Sequence, residues 1–456
     1  MRALRIELRR SVAAGAVLLL ILVGIAEFLY GTPGGWTSMT TMQREGMLLS
    51  WPLAVGVGAW QARRERMAGI GELFVTSPRS PAQRLAPVAL ALALAAVSAY
   101  LLVLLLGTVL VGRSPADLYF TVAGGAEAAV GAISLVTAAW LGLWLGRLVP
   151  SAFTAPLATV LAVALVSVLQ ELETFSTTGP AFSLLLPALQ TPYQQDHVQL
   201  PLELSVRQGV WLAALAVGAF AITTASTWLR RVLALLPAVA AALVLIPALP
   251  LASASEAFVV NQDALTPVCT QDRPKVCVIK AHSGLLDEVT GPTRAALKVL
   301  SALPDPPTSA SEIPEPATPL FRPGTPEPPV AETPRDPHVL ALQYQRDSRG
   351  HVEERGDLTA SLLANAWSRP GCPPRDWTDQ QRERFWAAQD VVGAWLGRQA
   401  GVTPAGSSFE ELAGPGRQAL AALPASTQRE RIIAYRDAAL ACRDVDVYAQ
   451  LTKAAR

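Results

Sequence analysis

The chain has 456 residues, of which 51% are hydrophobic and only 16% charged, and its net charge is +1. That is too apolar for an average soluble protein and too neutral for a nucleic-acid binder. Residues 1–252 carry 15 basic and 11 acidic groups and residues 253–456 carry 22 and 25, so neither half offers a basic surface.

Met1–Arg10 sets Leu4, Ile6 and Leu8 among arginines. It reads equally as an amphipathic elbow on the inner membrane surface and as a charged start that orients the first helix. Apolar runs then predict membrane spans at Ser11–Tyr30, Met47–Trp60, Pro87–Val111, Ala128–Gly146, Ala152–Leu169, Gly209–Leu229 and Val232–Ala252. The first run is too long, and lacks a closing small-x-small site, for a cleaved signal peptide. The second has fourteen residues, a length at which a buried or re-entrant segment competes with a span.

Arginine placement decides that parity. Residues 1–252 hold fifteen Arg and no Lys. With seven spans and a cytoplasmic N-terminus, twelve face the cytoplasm, and only Arg44, Arg113 and Arg207 lie outside. Without the second span the split becomes six against nine, contrary to the positive-inside tendency. The sequence thus predicts an α-helical polytopic membrane domain over 1–252, with about seven spans. An extracytoplasmic domain of mainly α, α+β character follows over 253–456.

Loop 170–208 is the largest external loop of the membrane half, and its apolar piece Phe182–Leu189 is expected to pack on the outer face. Trp51, Trp60, Trp140, Trp144, Trp211 and Trp228 are expected as interfacial anchors. Pro237, Pro247 and Pro250 should kink or end the seventh span. Ala252-Ser253-Ala254 resembles a cleavage site, but a retained tether is the preferred reading.

All four cysteines, Cys269, Cys277, Cys372 and Cys442, lie beyond the last span, where an oxidising compartment favours disulfides. Three pairings are open, and the preferred one joins Cys269 to Cys277 and Cys372 to Cys442. Val276–Lys280 and Val339–Gln345 read as short strands. Capping boxes at Thr378 with Gln381, Ser408 with Glu411 and Thr427 with Glu430 signal helices, and Phe385, Ala388, Val392 and Trp395 form an apolar stripe after the first. Pro304–Pro337, with twelve prolines in thirty-four residues, reads as a stiff connector with little room for regular structure.

No Gly-x-x-x-x-Gly-Lys-Ser/Thr loop or His-Glu-x-x-His motif occurs, and the four histidines, His197, His282, His338 and His351, lie far apart. No catalytic or metal site and no cofactor is therefore expected in this chain, which reads as a non-enzyme. The predicted spans are almost free of ionisable residues, Glu27 being about one turn from an outer end. Such scarcity argues against an ion-coupled carrier.

The segment 62–84 carries Arg63, Arg64, Arg66, Arg79 and Arg84 between spans two and three. A potential helix at Arg63–Phe74 places Glu65 and Glu72 on one face, and Thr76-Ser77-Pro78 ends it. By the residues alone, a lever for a motor protein and a solvated loop that only sets topology are equally good readings. The run Arg64-Glu65-Arg66, Gly69, Gly71-Glu72-Leu73 and Thr76-Ser77-Pro78-Arg79-Ser80, after a short second span and before a long third one, resembles ABC-2 type permeases. That resemblance, covering roughly residues 1–230, implies a permease subunit of an ATP-driven exporter in the plasma membrane. It also implies a homodimer or heterodimer and a separate ABC ATPase that carries the ATP and Mg²⁺. Its coupling residues would be Arg63, Arg64, Glu65, Arg66, Gly69, Glu72, Pro78 and Arg79, and an apolar span set would suit lipid-like or peptide cargo. The arginine-rich, Ala/Leu-rich usage is similar to high-GC actinobacterial proteins of this type. The added domain resembles external regions of actinobacterial permeases, some gluzincin-like, through Cys269 and Val276-Cys277-Val278, but the zinc motif is missing. A second reading from a different class is a membrane-anchored sensor whose external domain binds a ligand.

Overall fold

The structure is a computed structural model that describes residues 13–30, 36–67, 79–111, 119–175, 181–188, 196–250, 254–314, 336, 338–346, 351–353, 358–368, 372, 377–402, 408–443 and 446–453. The described residues fall into two compact units that divide between residues 261 and 262. The Met1–Arg10 elbow and residues 68–78 lie outside the described residues.

The first unit is a helical bundle: α1 Ala13–Tyr30, α2 Trp36–Glu45, α3 Met47–Met67, α4 Pro81–Val111, α5 Val122–Leu148, α6 Thr154–Phe175, β1 Val198–Gln199, α7 Leu202–Thr224, α8 Trp228–Leu233, α9 Leu236–Leu245 and β2 Val259–Val260. Five segments are long and apolar enough to cross a membrane, at Pro81–Val109, Val122–Leu148, Thr154–Glu171, Leu202–Thr224 and Trp228–Ala248. Ala14–Glu27 is a shorter apolar helix. Leu101, Leu105, Leu157, Val160, Leu161 and Leu243 stay exposed, as side chains facing hydrocarbon would. These features are those of a helical membrane protein.

Helix α3, at the position of the fourteen-residue run, is a helix of 21 residues. Trp51, Ala54, Val55, Ala59 and Ala62 are buried, and the helix packs mainly on α5 and α6. A helix enclosed by protein needs no lipid-compatible surface, which is why hydropathy alone ranks it low. Ser80 starts α4 by accepting from the Gln83 amide while the Gln83 side chain accepts from the Ser80 N–H, and Pro81 takes the first helical position.

Two predicted borders move. Glu203 and Arg207, expected in a loop, are in the first turns of α7, which ends at Thr224. Thr227 then caps α8, so Leu229 belongs to the next pass. That pass breaks at Ala234–Leu235, because Pro237 cannot donate to the Leu233 carbonyl, and it ends in a 3₁₀ turn at Ile246–Ala248.

Close approaches give the helix directions. Gly58 lies against Ala139, Gly142 against Val55 and Gly146 against Ala59, so α3 and α5 run parallel. Gly131 faces Tyr100 while the Trp140 indole donates to Ala89, so α4 runs opposite to α5. The Thr137 hydroxyl donates to Leu212 and Gly209 faces Val130, which makes α7 parallel to α5. Each long pass runs opposite to its predecessor. Arg63, Arg64, Arg84, Arg147, Arg230 and Arg231 therefore lie toward one end of the bundle, and Glu27, Arg44, Glu127 and residues 181–188 and 196–200 toward the other.

The second unit is α+β. It comprises β3 Pro267–Cys269, β4 Lys275–Ile279, α10 Leu286–Leu300, β5 Ser309–Glu312, β6 Val339–Leu342, α11 Leu358–Ala364, α12 Asp379–Ala400, α13 Glu410–Ala421, α14 Ala425–Leu440 and α15 Val447–Thr452. The sheet order is β3-β4-β5-β6, with β3 antiparallel to β4 and the other neighbours parallel. Strand β5 lies inside the proline-rich segment that reads as a stiff connector with little room for regular structure. Ser309–Glu312 contains no proline, so each residue can donate to the ladder. Residues 315–335 of that segment lie outside the described residues.

The capping box at Thr378 and Gln381 forms. The other two do not: α13 is capped at Phe409 without a side-chain bond, and α14 starts after Pro424, which places Thr427 inside the helix. The core joins Val276, Val289, Leu300, Leu340, Phe385 and Tyr435 across sheet and helices.

Both expected disulfides are present, Cys269–Cys277 directly across the β3–β4 ladder and Cys372–Cys442 from before α12 to after α14. Their sequence separations are 8 and 70. By loop-closure entropy these correspond to about 2.5 and about 4 kcal/mol. Changing Cys372 and Cys442 to Ser should therefore lower the melting temperature of this unit more than changing Cys269 and Cys277, as followed by near-UV circular dichroism of the full chain.

Burial raises the ionisation of the Tyr435 phenol above its ordinary range, and nearby Asp390 adds to the effect. With the folded value above the unfolded one, the contribution of Tyr435 to stability is full below about pH 10 and is lost as pH rises beyond it. Tyr435→Phe should flatten that alkaline loss in a pH series of thermal melts.

Candidate functional site

Two constellations stand out in the bundle, one at each end. At the basic end, α3 continues through Arg63 and Arg64 to Met67, so the helix expected over Arg63–Phe74 begins as the last turns of α3. Arg63 is half-buried with its guanidinium 5.9 Å from the Trp60 ring centroid, and Arg64 is exposed. Trp60 is itself exposed, as an interfacial tryptophan would be. The Arg79 carbonyl accepts from the Arg84 guanidinium at 2.8 Å, which ties the start of α4 to the preceding backbone.

Ala62, Leu85, Val88 and Leu143 form one apolar cluster, and it draws the end of α3, the start of α4 and the end of α5 together. Arg63, Arg64, Arg84 and Arg147 thus share a rim. Of Glu65 and Arg66 only the helical backbone is described, and Gly69, Glu72 and Pro78 lie outside the described residues.

Glycines set the close approach of α3 and α5. A Cβ at Gly58 would meet the Ala139 carbonyl oxygen at 2.0 Å, and one at Gly142 would meet the Val55 oxygen at 1.9 Å. One at Gly146 would meet the Ala59 oxygen at 2.4 Å. Backbones this close are what small-residue interfaces achieve inside a membrane. These contacts join Val55–Ala59 of α3 to the C-terminal third of α5.

At the opposite end lies a polar cluster that sets one carboxylate, Glu127, inside the membrane-length helix α5, just before the predicted fourth span. Arg44, on α2, is 1% exposed and Glu127, on α5, is also 1% exposed, and their charges attract. The Arg44 Nε donates to the Pro187 carbonyl at 2.9 Å and its Nη2 to Gln208 Oε1 at 3.0 Å. Gln208 Nε2 donates in turn to the Leu184 and Leu186 carbonyls at 2.8 and 2.9 Å. The Leu200 N–H donates to Glu127 at 3.2 Å. The described part of the apolar piece Phe182–Leu189, residues 182–188, is thus pinned to α2 and α7, with Leu184 and Leu186 buried. Trp211 also donates to Leu185. Trp140 and Trp211 therefore serve as interhelix donors, and Trp51 is buried.

Sequence reasoning reaches neither charge, because each lies just outside a predicted apolar run. The predicted fourth span starts at Ala128, one residue past Glu127, and Arg44 stands three residues before the second. Apolar runs end at charged residues by construction, whereas α5 continues for several residues beyond its own apolar stretch.

In the second unit, His282 Nδ1 lies 2.6 Å from Glu312 Oε1, and His351 Nδ1 lies 2.7 Å from Glu288 Oε1. Glu312 and Glu288 each also accept from a backbone N–H, of Ile279 and Val352. Among the described residues no group of three or more His, Cys, Asp or Glu is arranged to hold a metal ion. These pairs link the C-terminal ends of β4 and β5, the start of α10 and the segment after β6. The chain matches no family model, no curated protein and no solved structure.

Proposed function

We propose that the chain is the membrane-spanning permease subunit of an ATP-driven exporter of the ABC-2 type, with a separate ATPase docking on its basic end. The observation that carries this reading is α3, a buried helix that runs unbroken from the interior of the bundle to Arg63 and Arg64 and is locked to α5 by glycines. A passive topology loop would need no such rod. The alternating directions of the passes and the gathering of arginines at one end favour seven spans. On this reading segment 62–84 is cytoplasmic, and residues 253–456 are extracytoplasmic in the plasma membrane. The two disulfides favour the same side for that domain. The partner chain would supply ATP and Mg²⁺, and a second permease copy, identical or not, would complete the path for lipid-like or peptide cargo. The buried Arg44 and Glu127 weaken the argument from charge scarcity, so the reading rests on α3 and the sequence resemblance.

Extraction of the chain in gentle detergent should co-purify an ABC ATPase. Arg63→Glu with Arg64→Glu should lower its recovery about tenfold, the effect of roughly 1.4 kcal/mol at a charged interface. Absence of any ATPase from wild-type extracts would defeat the proposal and favour the membrane-anchored sensor.

A further inference from the structure

Beside the Arg44–Glu127 cluster is a cavity of about 20 Å³ bordered by Glu27, Gln43, Ser50 and Tyr100 from four helices. That volume takes one group of water size. Its wall is mostly apolar, with Leu20, Met47, Val103 and Leu135 among the lining residues, and those four polar side chains supply its oxygen atoms. Ser50 donates to Glu27 Oε1 at 3.2 Å. The Gln43 amide is oriented by Nε2, which donates to the Tyr100 carbonyl at 3.2 Å. Its Oε1 is buried with no hydrogen-bond partner among the described residues, and neither has the Tyr100 hydroxyl. Gln43 is 4% and Tyr100 3% exposed.

We propose that this cavity is a binding site for one sodium-sized monovalent cation, held by the Glu27 carboxylate, the Ser50 and Tyr100 hydroxyls and Gln43 Oε1. Hard cations take oxygen ligands of this kind. One carboxylate among neutral oxygens matches a single positive charge. The charge of Arg44 acts on Glu127, whereas the described partner of Glu27 is a neutral hydroxyl. An uncompensated carboxylate inside a membrane bundle is costly, and a cation offsets it. The orphaned Gln43 oxygen is an acceptor only and needs either a cation or a donor. Gly46 makes the seat possible, since a Cβ there would fall 2.0 Å from Glu27 Oε2. The charged groups acting on the site from the neighbouring helices are Arg44 and Glu127, both of which influence Tyr100.

The test is thermal unfolding of the full-length protein in detergent, in NaCl, KCl and choline chloride at matched ionic strength, across a pH series. The expected result is a melting temperature several degrees higher in NaCl than in choline chloride, with a smaller rise in KCl. Glu27→Gln should abolish the difference while folding as well in choline chloride as wild type. Equal melting of wild type in all three salts overturns the proposal and leaves a water-filled cavity. Stabilisation by acid alone, with sodium adding nothing at any pH, overturns it in favour of a protonated Glu27. Should Glu27→Gln fail to fold, equilibrium dialysis of wild type with ²²Na⁺ decides: saturable binding competed by excess NaCl supports the site, and its absence removes it. The inference does not depend on the permease reading, because co-purification of an ATPase and sodium binding fail separately.

Discussion

Gly142→Ala is expected to cost the bundle about 3 kcal/mol or more, at the upper end of what overpacking does. The added methyl would sit 1.9 Å from the Val55 carbonyl oxygen, 2.8 Å from its carbon and 3.0 Å from the Ala59 nitrogen. All three are backbone atoms of α3, so no side chain can swing aside and the helices must separate. Separation also opens the contacts at Gly58 and Gly146, which lie along the same seam. Gly125→Ala is the control. It lies on the same helix, its added methyl would have nothing within 4 Å, and it should stabilise by up to about 1 kcal/mol through helix propensity. Fluorescence-detected size exclusion after a heating series reads both. Equal melting of Gly142→Ala and wild type would show that α3 and α5 are not locked, and it would remove the rod on which the functional proposal rests.

Arg44→Met is expected to be comparably severe, on the order of 3 kcal/mol, because it frees the Pro187 carbonyl and Gln208 and removes the positive charge acting on the buried Glu127. Much of that cost is the uncompensated carboxylate itself. Adding Glu127→Gln to Arg44→Met should therefore recover a large share of the lost stability, although Glu127→Gln alone destabilises. A double-mutant cycle in detergent melts measures the coupling. Simple additivity of the two changes would show that the charges do not interact. Limited proteolysis at residues 181–188 adds a second readout, since those residues lose two side-chain anchors when Arg44 and Gln208 are released.

Much of this protein is legible from local pattern. Apolar runs locate helices α1, α4, α5, α6, α7 and the α8–α9 pass, since lipid exposure writes itself into consecutive residues. Thr378 with Gln381 marks the start of α12 because a capping box involves only four neighbouring positions. Ser408 and Thr427 carry the same local pattern but form no cap, because Phe409 and Pro424 occupy the cap positions. Strand β5 escapes notice for a different reason: Ser309–Glu312 gains its order from β4 and β6 on either side, and neither the prolines around it nor its own composition announces that.

The sequence by itself determined the division into an apolar, arginine-only half and a cysteine-bearing half, and it determined the asymmetry of charge along the first. Those properties are sums over neighbouring residues, so no coordinates are needed to read them. Only the tertiary structure decided that Met47–Met67 is an enclosed helix, that Arg44 and Glu127, 83 positions apart, are buried where their charges attract, and that Glu27, Gln43, Ser50 and Tyr100 line one cavity. The physical reason is that burial of a charge or an amide depends on which helices pack together. In this bundle that packing is set by glycines whose contacts lie on other helices.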